Sequence, residues 1–151
     1  ISMIDNNRVR IELAGQPYIG ATGRNYTLTV RNVKSADEIP ITSGPGNTLS
    51  FVFSDEDPDN AYVYPNPVKL SDNEEIFFAN LPERAKVHIL TMKGELIRTL
   101  NEIDGNGGVE WDGLDNDGNK LTTGIYLFKV ERINPDGSSE ISGLQKFAVT
   151  P

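Results

Sequence analysis

The sequence predicts an all-β chain: an antiparallel β-sandwich over 61–151, preceded by a smaller and incomplete β unit. Three observations predict it. Apolar and polar residues alternate with a period of two through most of the chain, the pattern of strands with one buried face. Gly, Pro, Asn and Asp punctuate these runs at short intervals, where turns need positive or preset φ. No stretch sustains the helical period.

The elements follow in order. Arg8–Leu13, RVRIEL, sets Val9, Ile11 and Leu13 on one face and Arg8, Arg10 and Glu12 on the other. Tyr26–Val33, YTLTVRNV, opposes Tyr26, Leu28 and Val30 to Thr27, Thr29 and Arg31. Leu49–Phe53 repeats the alternation with Leu49, Phe51 and Phe53. Turn-rich segments, Gly15–Asn25 and Pro40–Asn47, separate these strands. Three strands cannot close a two-sheet sandwich, because each apolar face needs a covering layer. The missing layer of this unit, residues 1–54, is expected from strands upstream in a longer polypeptide, in preference to the second domain or another chain. The opening ISMIDNNRVRIEL, which has no basic segment followed by an apolar one, fits a start inside such a polypeptide.

SDEDPDN, Ser54–Asn60, holds Asp55, Glu56, Asp57 and Asp59 and a proline, and residues 55–60 read as an exposed acidic linker. The second domain, 61–151, then shows strands at Ala61–Tyr64, Glu75–Leu81, Lys86–Met92, Glu95–Leu100, Val109–Trp111, Ile125–Ile133 and Ser139–Val149, the last broken near Gly143. The turns LPER, MKGE, DGNGG, DNDGN and NPDG join them, and Gly94 falls where a two-residue hairpin turn needs positive φ. The expected core is Phe77, Val87, Ile89, Trp111, Tyr126, Phe128, Val130 and Phe147. Full burial of Trp111, about 200 Å², would contribute on the order of 5 kcal/mol.

Composition limits the function. A net charge of −8 disfavours nucleic acid and anionic lipid as partners. With no cysteine there is no disulfide, no thiolate metal ligand and no cysteine nucleophile. No run approaches the roughly 18–20 apolar residues of a membrane span. His88, the sole histidine, sits on a strand and faces opposite to Val87 and Ile89, so a half-buried strand histidine is favoured over a zinc ligand. No G-x-S-x-G elbow occurs, and no GK[ST] follows Gly105–Gly108. The acids lie mostly in turns and form no pair across a cleft. The chain is read as non-enzymatic and without a cofactor.

Two acidic clusters raise calcium as an alternative. WDGLDNDGN brings together Asp112, Asp115, Asn116, Asp117 and Asn119, but an EF-hand frame anchored on Gly118 puts Gly113 at its first ligand position. A polar hairpin turn is the favoured reading there. Asp55, Asp57 and Asp59 form the second cluster, for which a solvated linker is favoured.

Four motifs then occur in series: YPNP (Tyr64, Pro65, Asn66, Pro67), VHILTMKGELI (Val87–Ile97, with Gly94), GIYLFKV (Gly124–Val130, with Tyr126) and GLQKFAV (Gly143–Val149, with Lys146, Phe147 and Val149). In this order, over Val63–Val149, they resemble the type A C-terminal sorting domain of proteins exported by the type IX secretion system of the Bacteroidota. WDGLDNDGNKLTTGIY, Trp111–Tyr126, resembles the Ig-like domain of the flagellar hook-capping protein. The first unit loosely resembles the C-terminal half of a bacterial Ig-like domain. The resemblance implies an Ig-like sandwich that folds in the periplasm and serves as the signal for export and surface attachment. It implies as partners the outer-membrane secretion apparatus, its processing peptidase and cargo domains upstream in the same polypeptide, at the cell surface or outside the cell. Lys146 and its apolar neighbours would be the recognition element. Two other functions stay open. One is a structural subunit of a surface assembly, completed by strand exchange. The other is a carbohydrate-binding module using Tyr18, Tyr62 and Tyr64.

Overall fold

The computed structural model describes residues 2–5, 8–10, 22–34, 37–40, 45–69 and 75–151. Before residue 54 the strands pair two by two. β1 (Ser2–Asp5) lies antiparallel to β2 (Arg8–Arg10), and β3 (Asn25–Thr29) to β4 (Thr48–Val52). β1 has no counterpart in the sequence reading. Residues 11–13 of the expected RVRIEL strand lie outside the described residues.

After residue 60 come β5 (Tyr62–Tyr64), β6 (Val68–Lys69), β7 (Ile76–Ala79), β8 (Ala85–Thr91) and β9 (Leu96–Glu102). They are followed by β10 (Gly108–Trp111), β11 (Gly124–Ile133), β12 (Ser139–Ile141) and β13 (Gln145–Thr150). One sheet has the order β10-β7-β5; the larger has the order β6-β13-β11-β8-β9, with β12 on the far end of β11. Each expected strand of this domain is present within one or two residues. β6, the short parallel partner of β13, was not expected.

The two sheets bury their facing side chains against one another. Phe78 stands at the centre, with ring contacts to Trp111, Phe128 and Phe147 at 6.3, 5.2 and 6.2 Å. Val87, Ile89, Val130 and Val149 fill the large sheet's side of the core. Each such side chain contributes about 1.5–3 kcal/mol by leaving water.

The expected core is met except at one position. Phe77 is only half-buried, and Phe78 takes the inward place at 0% exposure. The cause is the apolar run Ile76–Ala79, in which both faces of β7 are hydrophobic and periodicity loses its meaning. β7 is the central strand of its sheet, and its outer face is covered too. A Cβ on Gly23 would lie 2.3 Å from the Phe77 ring, so the Thr22–Gly23 turn rests directly on that ring. Thr22 Oγ1 accepts the Asn80 N–H at 2.7 Å, and Gly23 N–H donates to the Asn106 carbonyl at 2.6 Å.

The hairpin at Gly94 also differs from its expected form. Gly94 has φ +85°, but Thr91 bonds Gly94 and Glu95 across a three-residue loop, a turn followed by a left-handed residue. The same pattern recurs at Gly118, in the Asp115–Asn119 loop, and at Gly137, in the Asn134–Ser138 loop. Nothing lies near these three glycines, so φ alone demands them.

Candidate functional site

The motifs that are scattered through the sequence gather along β13. β13 lies between β11 and the two-residue β6, so most of its outer edge has no strand beside it. Pairing with β11 sets Gly124 against Val149 and Tyr126 against Phe147. The Tyr126 and Phe147 rings stack at 5.6 Å, and both are buried. The Tyr126 hydroxyl donates to the Thr122 carbonyl at 2.9 Å and accepts the Thr122 N–H at 3.2 Å, closing the approach to β11 as a tyrosine corner does. Phe147 and Val149 point inward, so Lys146 and Ala148 point outward, and Lys146 is exposed opposite Leu127.

YPNP carries the chain from one sheet to the other. Tyr64 ends β5, an edge strand, and Val68 begins β6; the Tyr64–Pro65 and Asn66–Pro67 bonds are cis. Prolines suit this position because an edge crossing demands no ladder N–H. Asn66 Oδ1 accepts the Ala148 N–H at 3.1 Å, so the first motif caps the exposed edge of the last one.

The acidic segment reaches the same strand. Glu56, Asp57 and Asp59 are exposed and Asp55 is half-buried, but Pro58 is buried in a 3₁₀ turn, Pro58–Asn60, capped by Asp57 Oδ1 on the Asp59 N–H. Asp59 Oδ1 accepts the Gly143 N–H at 2.7 Å, its carbonyl accepts from Gln145 Nε2 at 3.1 Å, and Arg132 pairs with Glu56. The segment expected as an exposed acidic linker thus keeps exposed acids and is also bonded, as a strap, across β11 and the start of β13. Composition predicts solvation; the Asp57 cap on the Asp59 N–H and the buried Pro58 fold the segment.

Gly94 stands apart from this group. It shapes the β8–β9 loop, where its N–H bonds the Thr91 carbonyl within its own motif. In the Asp112–Asn119 turn, Asp115 Oδ1 accepts the Asp117 and Asn119 N–H groups at 2.9 and 2.8 Å. The Asn119 N–H, with smaller help from its side chain, holds the Asp115 carboxyl below the usual range. Asp112 likewise accepts the Leu114 N–H. Two of the candidate calcium ligands of this turn, Asp112 and Asp115, thus have a carboxylate oxygen engaged by the turn's own backbone. Among the described residues no group of three or more His, Asp or Glu side chains converges as a metal cage.

His88 is half-buried on the outer face of the large sheet, between Thr99 at 3.2 Å and Glu131 at 3.0 Å. Cross-strand register explains the trio, since His88 opposes Thr99 directly and Glu131 diagonally, two residues beyond its partner Lys129. The hydrogen bond from His88 holds the Glu131 carboxyl below its ordinary value. No helix of the described residues is long and apolar enough to cross a membrane. One buried acid, Glu102, escaped the sequence reading. Leu100 inward implies Glu102 inward, so the parity of β9 was the available signal.

Two facing antiparallel layers, an aromatic centre and a tyrosine corner define an Ig-like β-sandwich. Residues 73–136 match the family model of the FlgD Ig-like domain, and Trp111–Tyr126 falls inside that match. Three solved structures are similar in part. PorZ of Porphyromonas gingivalis, described as an essential surface component of the type-IX secretion system, is 29% identical at a TM-score of 0.48, covering 62% of this chain. Latent PorU of the same organism is 26% identical at 0.47, covering 69%. FlgD of P. aeruginosa is 22% identical at 0.40, covering 60% of this chain and 72% of its own. The chain spans only 12% of PorZ and 11% of PorU. No curated protein sequence matches it.

Proposed function

We propose that residues 61–151 are a non-catalytic export label, read along β13 by the outer-membrane apparatus of type IX secretion, with cargo upstream in the same polypeptide. One observation carries the reading. Three of the four motifs are brought to β13, where Tyr126 stacks on Phe147, Gly124 pairs with Val149 and Asn66 caps Ala148. The first part of β13, around Lys146, which β6 leaves uncovered, is suited to recognition by strand addition. Lys146 is the exposed charge at its centre and the contact through which the apparatus, and its peptidase in processed proteins, would distinguish it. The location that follows is the cell surface or beyond it, by way of the periplasm.

The test is a fusion of Asp55–Pro151 to a reporter in a host competent for type IX secretion. Delivery to the surface is expected, and Lys146→Glu, which leaves the core untouched, should reduce it at least tenfold. A fusion retained in the periplasm, or one exported equally well without Gly143–Pro151, would overturn the reading.

One observation favours a second reading, carbohydrate binding. Tyr62 and Tyr64 project side by side from edge strand β5, 6.0 Å apart, and Tyr64 leans on Phe77 at 5.2 Å. Retardation on polysaccharide gels that is lost in Tyr62→Ala would support it; unchanged migration on every polysaccharide would remove it.

A further inference from the structure

The outer face of the large sheet has no second layer among the described residues, and it is divided by chemistry. Register places Lys146, Leu127, Leu90 and Leu96 in one row across β13, β11, β8 and β9, with Ala148 and Ile125 in the row beside it. These side chains point outward because their neighbours Phe147, Tyr126 and Ile89 point into the core. Ile125 and Leu96 are 47% and 53% exposed, and Leu127 and Leu90 are half-buried. An apolar area continuous over four strands marks a contact surface, whereas single exposed apolar residues do not.

One border of that area is cationic. Lys129 opposes His88 and Lys86 opposes Glu131, so Lys146, Lys129 and Lys86 step diagonally over β13, β11 and β8. Like charges on neighbouring strands do not stabilise a sheet. Among the described residues Glu131 is the only carboxylate in these rows; it bonds His88, and it pairs with neither Lys146 nor Lys129. The chain has 22 acidic against 14 basic side chains, so composition does not impose lysines left without carboxylates. An apolar centre with a polar, charged rim is the anatomy of a protein interface.

We propose that this face is where the export apparatus docks, against a protein ridge whose apolar side chains are bordered by Asp or Glu. The inference rests on the export reading and extends the contact from the edge of β13 to the sheet beside it, through Lys146, which belongs to both. Ile125, Leu127 and Leu90 would lie under the ridge, and Lys146 and Lys129 would meet its carboxylates. Charge selects this occupant over two others. A second copy of the same face would offer these lysines only Glu131, which His88 already holds. An anionic lipid surface would repel the chain as a whole, at a net charge of −8.

The test is delivery of the full chain, carried behind a reporter, in a host competent for type IX secretion. Ile125→Asp and Lys129→Glu should each reduce surface delivery about tenfold. Their Tm should stay within about 3 °C of the parent, because neither side chain enters the core. If Ile125→Asp lowers Tm further, Leu96→Asp at the far end of the row replaces it. Ile103→Asp, at a position 84% exposed and off this face, should be delivered as the parent is. Folded variants of Ile125 and Lys129 delivered as well as the parent would overturn this inference and leave the export reading standing; a parent retained in the periplasm overturns both. A loss in only one of the two variants, or an equal loss in Ile103→Asp, also overturns the inference. So does a dimer in analytical ultracentrifugation that Ile125→Asp dissociates, or binding to phosphatidylglycerol vesicles that Lys129→Glu abolishes.

Discussion

The hairpin β3–β4 and the sandwich after residue 60 are written in the same alternating pattern, yet among the described residues only the sandwich shows two layers closing on each other. In the sandwich each sheet is the other's second layer, and Phe78, Phe128 and Phe147 are at most 1% exposed. In the hairpin, Tyr26, Phe51 and Phe53 touch one another within 5.7 Å, but Leu49 and Val52 remain in water. Asn47 ties the hairpin to Val30 through two hydrogen bonds. Alternation specifies a strand, and burial requires something for the strand to face.

The largest effect should separate the two regions. Phe78→Ala and Trp111→Ala should each cost about 3–5 kcal/mol in urea unfolding of the sandwich. Phe51→Ala should cost less than about 1.5 kcal/mol and leave the sandwich midpoint in place. A Phe51→Ala loss equal to that of Phe78→Ala would mean that the hairpin belongs to the same cooperative core.

Next comes the seam. Gly107 has φ +80°, and a Cβ there would lie 2.5 Å from the Phe53 carbonyl oxygen. Gly107→Ala should cost more than about 2 kcal/mol, combining left-handed strain with a backbone clash. Gly94→Ala, whose Cβ would meet nothing, should cost about 1 kcal/mol from strain alone. Equal losses by calorimetry would remove the close approach from the account.

Between these predictions lies the lesson of what was legible. Strands with one wet face, β8, β9, β11 and β13, were readable because polar and apolar residues alternate along them. β7 was not, because the Thr22–Gly23 turn covers its second face, and Phe77 therefore resembles Phe78 in sequence. β6 is too short for any period to show. The gathering of motifs on β13 is a product of long-range pairing, such as Asn66 with Ala148, which no local pattern encodes. The acidic strap was misjudged for the same reason: Asp59 finds Gly143, which lies 84 residues away.

Smaller effects sharpen the comparison. Tyr126→Phe removes the bonds to Thr122 while keeping the stack on Phe147, and should cost about 1 kcal/mol. pH should matter least. The Glu131 carboxyl is held below its ordinary value of 4.5, first by the His88 hydrogen bond. Its small contribution is therefore present above about pH 4.5 and lost as pH falls through the lowered value. Glu131→Gln should remove that acid-side loss, seen as a flatter difference in Tm between pH 6 and pH 3; an unchanged slope would detach Glu131 from His88.

Native-state hydrogen exchange on the full chain tests the contrast most directly. Amides of Phe78, Phe128 and Phe147 should open only with global unfolding, and those of β3 and β4 at several kcal/mol less. Equal protection in the two regions would contradict it.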